Sequence, residues 1–219
     1  MEIYKKGSRG EVVKQIQKAL CGAGYHVGMI DGVYGQMTED AVKAFQRSRG
    51  LNADGIVGPA TLVLLIPSRF KKSKRRIDKI IVHCSATPEG EGLTVEQIRR
   101  DHKKQGWSDI GYHYVIYRDG SIHDGRDVDI QGAHCAEGGG NVGSIGVCYV
   151  GGLEKRRAGV AYNQLKPKDT RTLAQKAALI KLLTDLKTIY PNAKIYGHRD
   201  FTNKKACPSF DAKSEYKAI

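Results

Sequence analysis

The spacing of apolar residues changes character along the chain. In the first 66 residues they recur at helical intervals. Val12, Val13, Ile16, Ala19 and Leu20 form one stripe, and Val42 and Phe45 belong to a second. A first helix is predicted after Ser8-Arg9-Gly10-Glu11, where a Ser followed three positions later by Glu is a capping-box signature. A second is predicted from about Thr38 to Arg49, and a third from Thr61. The segment Asp31-Gly32-Val33-Tyr34-Gly35-Gln36-Met37-Thr38 recurs as Asp54-Gly55-Ile56-Val57-Gly58-Pro59-Ala60-Thr61, and both read Asp-Gly-x-x-Gly-x-x-Thr. In each, Asp-Gly turns the chain, the second Gly suits a positive φ, and Thr is expected to cap the following helix. The pattern predicts a small three-helix bundle over residues 1–66.

From Ile77 onward short apolar runs alternate with helical stretches. Ile77–Val82, Gly111–Arg118, Ile145–Val150 and Ala193–Tyr196 read as strands; Asp119-Gly120 turns the second of them into Ser121-Ile122-His123. Thr94-Val95-Glu96-Gln97 starts a capped helix running to about Lys104. A longer helix spans Thr172 to Tyr190, with Leu179, Leu182, Leu183, Leu186 and Ile189 as its apolar positions, and stops at Pro191. This succession predicts an α/β domain, a mixed sheet flanked by helices, over residues 77–219. Between the two regions, Pro67 is expected to end the bundle. Residues 67–76 carry six basic side chains, no acidic one and no periodicity, and read as a basic linker.

Composition narrows the class. The chain of 219 residues is 40% hydrophobic and 27% charged, as expected of a globular protein, and its longest conspicuous apolar run is Leu62–Ile66, far short of a membrane span. Met1–Gly7 lacks the apolar core of a signal peptide, so synthesis in the cytoplasm without a signal is expected. Five cysteines, with no Cys-x-x-Cys pair, argue against a disulfide scaffold or a structural zinc finger. Cys84 and Cys148 lie in apolar runs and are expected to be small buried hydrophobes. The net charge of +13 attracts any polyanion, nucleic acid included. A nucleic-acid reader would need a compact finger or a basic recognition helix, and neither pattern is present. The His-x-Glu and Pro-Cys-x-x-Cys signatures of zinc deaminases are also absent.

The candidate chemistry lies in three segments: Ile81-Val82-His83-Cys84-Ser85-Ala86-Thr87, Tyr196-Gly197-His198-Arg199-Asp200 and Lys204-Lys205-Ala206-Cys207-Pro208-Ser209-Phe210. Two imidazoles and a thiolate suit Zn²⁺, and three protein ligands leave a fourth tetrahedral position open, as a hydrolytic site requires. His83 and His198 each follow a predicted strand, and the long gap between them means that a folded domain assembles the site.

With these segments stand Trp107–Tyr114, Arg118-Asp119-Gly120, Gly125-Arg126, Gly132-Ala133-His134 and Asn141–Val147. In this order they resemble the zinc amidase family that includes amidase-type phage lysozymes and animal peptidoglycan recognition proteins. The resemblance implies hydrolysis of the amide joining N-acetylmuramic acid to L-alanine, with Zn²⁺ as cofactor and His83, His198 and Cys207 as its ligands. It implies catalytic roles for Tyr112, which would orient or deprotonate water, and for Lys205, which would stabilise the oxyanion. His134 matches a residue of the pocket wall, where it contacts substrate or else packs structurally, whereas His113 is expected to be buried opposite Tyr112.

Residues 1–66 resemble the peptidoglycan-binding domain often fused to wall hydrolases, through Asp31–Thr38, Ala41-Val42, Ala44-Phe45-Gln46, Gly50-Leu51 and Asp54–Thr61. The expected partner is peptidoglycan, with no specific nucleic acid, and the expected state is a monomer. An endolysin reaching the wall after release or export fits these expectations. The competing reading is a non-catalytic peptidoglycan recognition protein, and the full His-His-Cys set with Tyr112 and Lys205 speaks against it.

Overall fold

The computed structural model describes residues 3–66 and 69–219, which fall into two compact units, Met1–Arg69 and Phe70–Ile219. The first contains helices α1 (Glu11–Gly22), α2 (Gln36–Ser48) and α3 (Pro59–Leu65). Val13, Ile16, Leu20, Val27, Tyr34, Val42, Phe45 and Val57 form its core.

The Asp-Gly repeat proves to be the visible part of a larger one. Gln17 of α1 is buried, and its amide donates to Asp31 Oδ1, the Val33 carbonyl and Thr38 Oγ1 while accepting from the Gly32 N–H at 2.8 Å. Gln46 of α2 repeats the arrangement, donating to Asp54 Oδ1, the Ile56 carbonyl and Thr61 Oγ1 and accepting from the Gly55 N–H at 2.9 Å. Each glutamine satisfies the buried glycine N–H of its turn.

Four expectations change here. Thr38 and Thr61 lie inside their helices, bonded to the glutamines, and do not cap them. Helices α2 and α3 begin two residues earlier, directly after Gly35 and Gly58, whose φ of −89° and −92° are not the positive values expected of them. Gly10, with no side-chain cap, precedes α1, and Ser8 Oγ instead accepts from the Lys5 N–H. The expected stop at Pro67 lies outside the described residues.

The second unit is built on a five-stranded sheet. Its strands are β1 (Lys79–Cys84), β3 (Tyr114–Ile116), β4 (Ile122–Asp124), β5 (Ser144–Tyr149) and β7 (Lys194–Gly197), in the order β4-β3-β5-β1-β7. Only the β3–β4 hairpin is antiparallel. Two short strands, β2 (Thr87–Pro88) and β6 (Gly152–Leu153), pair separately in parallel. Helix α5 (Leu173–Ile189) starts at Thr172, whose hydroxyl and Gln175 complete a capping box. It packs Leu179, Leu182, Leu183 and Leu186 on Ile80, Val82, Tyr114, Ile145 and Val147. The opposite face carries α4 (Val95–Lys104), capped by Thr94, with Val95 and Ile98 against Ile110, Val115 and Val150. Helix α6 (Ala212–Glu215) adjoins β7. The strand at 111–118 is shorter than its β-prone composition predicts, because only Tyr114–Ile116 finds ladder partners on both sides.

The basic stretch departs from the expectation of a solvated linker. Phe70 is buried edge-to-face on Tyr114, with ring centroids 4.9 Å apart. The Ser73 N–H donates to Tyr190 Oη and the Ser73 hydroxyl to the Val128 carbonyl. Arg75 donates to the carbonyls of Val128 and Ser144. Three of these residues therefore complete the second unit, since a side chain with bonded neighbours on the sheet gains more than one left in water.

Candidate metal centre

Strand alternation sorts the β1 side chains. Ile80 and Val82 face α5, which leaves His83 on the opposite face. Strand β7 ends at Gly197, and His198 opens a short 3-10 turn whose Asp200 carboxylate accepts from the Gly197 N–H at 2.8 Å. Cys207 arrives on a loop tied down at several points. Its carbonyl accepts from the Arg199 N–H, Tyr149 Oη donates to the Pro208 carbonyl, and Ser209 Oγ donates to the Gly152 carbonyl. The Cys84 N–H donates to Cys207 Sγ at 3.3 Å.

These tethers bring His83, His198 and Cys207 together, with one donor atom of each within 4.8 Å of the others. His83 Nδ1 lies 3.7 Å from Cys207 Sγ, and the rings of His83 and His198 are 4.8 Å apart, edge to face. His83 is wholly buried and His198 nearly so. Burial, then the neighbouring His134, holds His83 well below the ordinary imidazole range; burial also lowers His198. Both rings are thus neutral, the form that ligates a metal. The Cys84 sulfur, then burial, pushes the Cys207 thiol well above its usual range, so a cation is needed to draw off its proton.

Tyr112 borders this cluster, its ring 5.3 Å from His83. Burial, followed by the nearby cysteine sulfurs, raises its phenol well above the usual range, so it is a proton donor at neutral pH. Lys205 is half-exposed, and its ammonium lies 2.9 Å from Glu137 Oε1.

His134 is buried rather than open on a pocket wall. Its Nδ1 lies 3.0 Å from His83 Nε2 and its Nε2 3.3 Å from Ser144 Oγ, which itself donates to the Asn141 carbonyl. That direction of donation makes His134 Nε2 the N–H, so its Nδ1 accepts from His83 Nε2–H and His83 Nδ1 stays bare. Gly146 makes room for this ring, because a Cβ there would lie 2.4 Å from His134 Cδ2.

His113 is fully buried, as expected, accepting from the Gly146 N–H at Nδ1; burial lowers it to about 4. Cys148, buried as expected, lies beside the Tyr112 phenol. Cys84 is also buried, but its sulfur faces the cluster as well.

Glu137 is the site residue that sequence reasoning missed. Its carboxylate lies between His198 and Lys205, in a segment with no periodicity or motif to announce it.

A mixed sheet with two neutral histidines and a cysteine converging on one face defines an α/β protein with a candidate hydrolytic metal centre. The chain belongs to the N-acetylmuramoyl-L-alanine amidase family, whose sequence profile matches residues 73–210, and a peptidoglycan binding domain profile matches residues 9–65. The chain is 43% identical over 140 residues to the endolysin of Klebsiella phage KP32, spanning 64% of this chain and 85% of that protein. It is 42% identical over 142 residues to the endolysin of Escherichia phage T7, spanning 65% and 87%. Among solved structures it resembles the N-acetylmuramoyl-L-alanine amidase endolysin LysCS of Clostridium intestinale, with a TM-score of 0.52 and 25% identity over 69% of this chain and 91% of that one. The bumblebee peptidoglycan recognition protein PGRP-SA shares the fold at 22% identity and a TM-score of 0.50 over 68% and 89%.

Proposed function

We propose that this amidase is a zinc-dependent endolysin that cleaves between N-acetylmuramic acid and L-alanine, with His83, His198 and Cys207 as metal ligands. The observation that carries the zinc reading is the convergence of two buried, neutral imidazoles and one half-buried thiol within 4.8 Å. That donor set fits a borderline-soft ion, and it leaves room for substrate. Zinc bound there supplies Lewis-acid polarisation and a more acidic water.

The chain's own residues do the rest. The Tyr112 phenol, held protonated by burial, donates a hydrogen bond to oxygen at the reacting carbon. The Lys205 ammonium offsets negative charge on that oxygen. His134 fixes the orientation of His83 through Nε2, which favours ligand support over substrate contact for this residue. Residues 1–66 hold the enzyme on peptidoglycan, and the catalytic unit begins at Phe70. The protein works as a monomer and meets its substrate once released to the wall. A non-catalytic recognition protein is the weaker reading, because the ligand set, Tyr112 and Lys205 are all retained.

Metal analysis of purified protein tests the centre. About one zinc per chain is expected, with reversible loss of muramyl-peptide hydrolysis on chelation, and His198→Ala should lose metal and activity together. Full hydrolysis by metal-free protein would refute it.

A further inference from the structure

Glu137 touches two residues that the proposed reaction uses and belongs to neither of their segments. Its Oε2 lies 3.2 Å from His198 Nε2, and its Oε1 lies 2.9 Å from Lys205 Nζ. An ionised carboxylate only accepts, so the His198 contact requires the proton on Nε2 and leaves Nδ1 bare. His83 is arranged in the same sense, its Nε2 turned to His134 and its Nδ1 towards Cys207. Both candidate ligand histidines are therefore gripped by Nε2, one by a neutral imidazole and the other by a carboxylate.

The backbone around Glu137 is built to hold it there. Residues 137–140 form a tight turn closed by the Gly140 N–H on the Glu137 carbonyl, with Gly138 and Gly139 both at positive φ. Gly138 has φ +58° and approaches Phe201, just past the His198 turn; a Cβ at Gly138 would lie 3.4 Å from the Phe201 ring. The buried Cys135 thiol also points to the Glu137 carbonyl.

We propose that Glu137 is a positioning residue for this amidase. Its carboxylate orients His198 for the metal and holds the Lys205 ammonium beside the reacting oxygen. This rests on the zinc centre proposed above. A carboxylate behind a ligand histidine fixes the ring and raises its basicity, and losing such a partner costs about 10–100-fold in metal affinity. The same carboxylate ties down a lysine that otherwise ranges over many rotamers, so its loss also reduces how often the ammonium is in place.

Zinc affinity of the full chain, measured by competition with a chromophoric chelator, separates these roles from simple loss of fold. Glu137→Ala should bind zinc about 10–100-fold more weakly than wild type, with its thermal transition retained. Glu137→Gln keeps an oxygen that accepts from Nε2–H, and should stay within about threefold of wild type in zinc affinity. Zinc-loaded Glu137→Gln should still lose about tenfold in kcat on a soluble muramyl peptide with KM little changed, because Lys205 has lost its anchor. Lys205→Met should then cost less in that background than in wild type. Wild-type affinity in Glu137→Ala, or an equal loss in Glu137→Gln, overturns the His198 role. Full additivity with Lys205→Met overturns the Lys205 role. A wild-type chain that binds no zinc overturns the metal centre itself, and the His198 role with it.

Discussion

Replacing Gln46 with Leu probes what holds the first unit together, and its cost follows from the bonds described above. Leucine fills a similar volume and keeps the packing on α2, but it removes three donated hydrogen bonds and one accepted bond. The Gly55 N–H is left buried without a partner, which costs about 1–3 kcal/mol. The Ile56 carbonyl loses its shortest bond and keeps the Gly58 N–H at 3.1 Å and Thr61 Oγ1 at 3.4 Å. The added apolar burial returns part of this, giving a net loss of about 2–3 kcal/mol. A unit of this size has a total stability of about 3–10 kcal/mol, so the loss is a large share of it. At 4–8 °C per kcal/mol the transition of the first unit should fall by about 10–20 °C. Calorimetry of the full chain is the assay. The transition of the second unit should not move, and hydrolysis of a soluble muramyl peptide at 25 °C should be unchanged. Retention on sacculi should drop once the first unit melts. Gln17→Leu, the equivalent change in the other copy, should behave alike. A shift below about 3 °C in both variants would mean that the glutamines are not what satisfies these turns.

Tyr112→Phe and Lys205→Met should keep zinc and lower turnover by about 10²–10³-fold, the usual cost of losing an oxyanion partner, and a loss below about threefold in steady-state kinetics would remove that residue from the mechanism. A fragment beginning at Arg69 should fold and cleave soluble substrate at nearly the full rate but retain poorly on sacculi. One beginning at Lys74 should lose about 2–4 kcal/mol in denaturant unfolding, because it lacks the buried Phe70 and the Ser73 bonds. His113 gives a pH dependence. Its folded pKa, about 4, lies below the ordinary imidazole value, so the neutral ring contributes stability that is fully present above about pH 6.5 and is lost as pH falls towards 4. Unfolding of the second unit with chelator present throughout should weaken over that window, and His113→Gln should reduce the dependence, with His83 and His198 supplying the remainder.

Local rules carried much of the architecture into the sequence. Helices α4 and α5 could be placed to within a residue because Thr94 with Gln97 marks a capped start and the leucine stripe of α5 runs to its stop at Pro191. His83 and His198 stood out because strands end in recognisable apolar runs. The threonines of the Asp-Gly repeat were visible, but their partners were not. Gln17 precedes Asp31 by 14 positions and Gln46 precedes Asp54 by eight, so no fixed spacing links them, and only the packed bundle joins them. The basic stretch misled for a related reason. A single Phe among lysines and arginines has no periodicity, and the surface that buries Phe70 is supplied by Tyr114, far along the chain. At the candidate site, residue types announced the ligand set through His83, His198 and Cys207. What tertiary structure alone decided is which nitrogen each ring presents. That depends on His134 and Glu137, 51 and 61 residues distant in sequence from the rings they hold, because a hydrogen bond is specified by position in space.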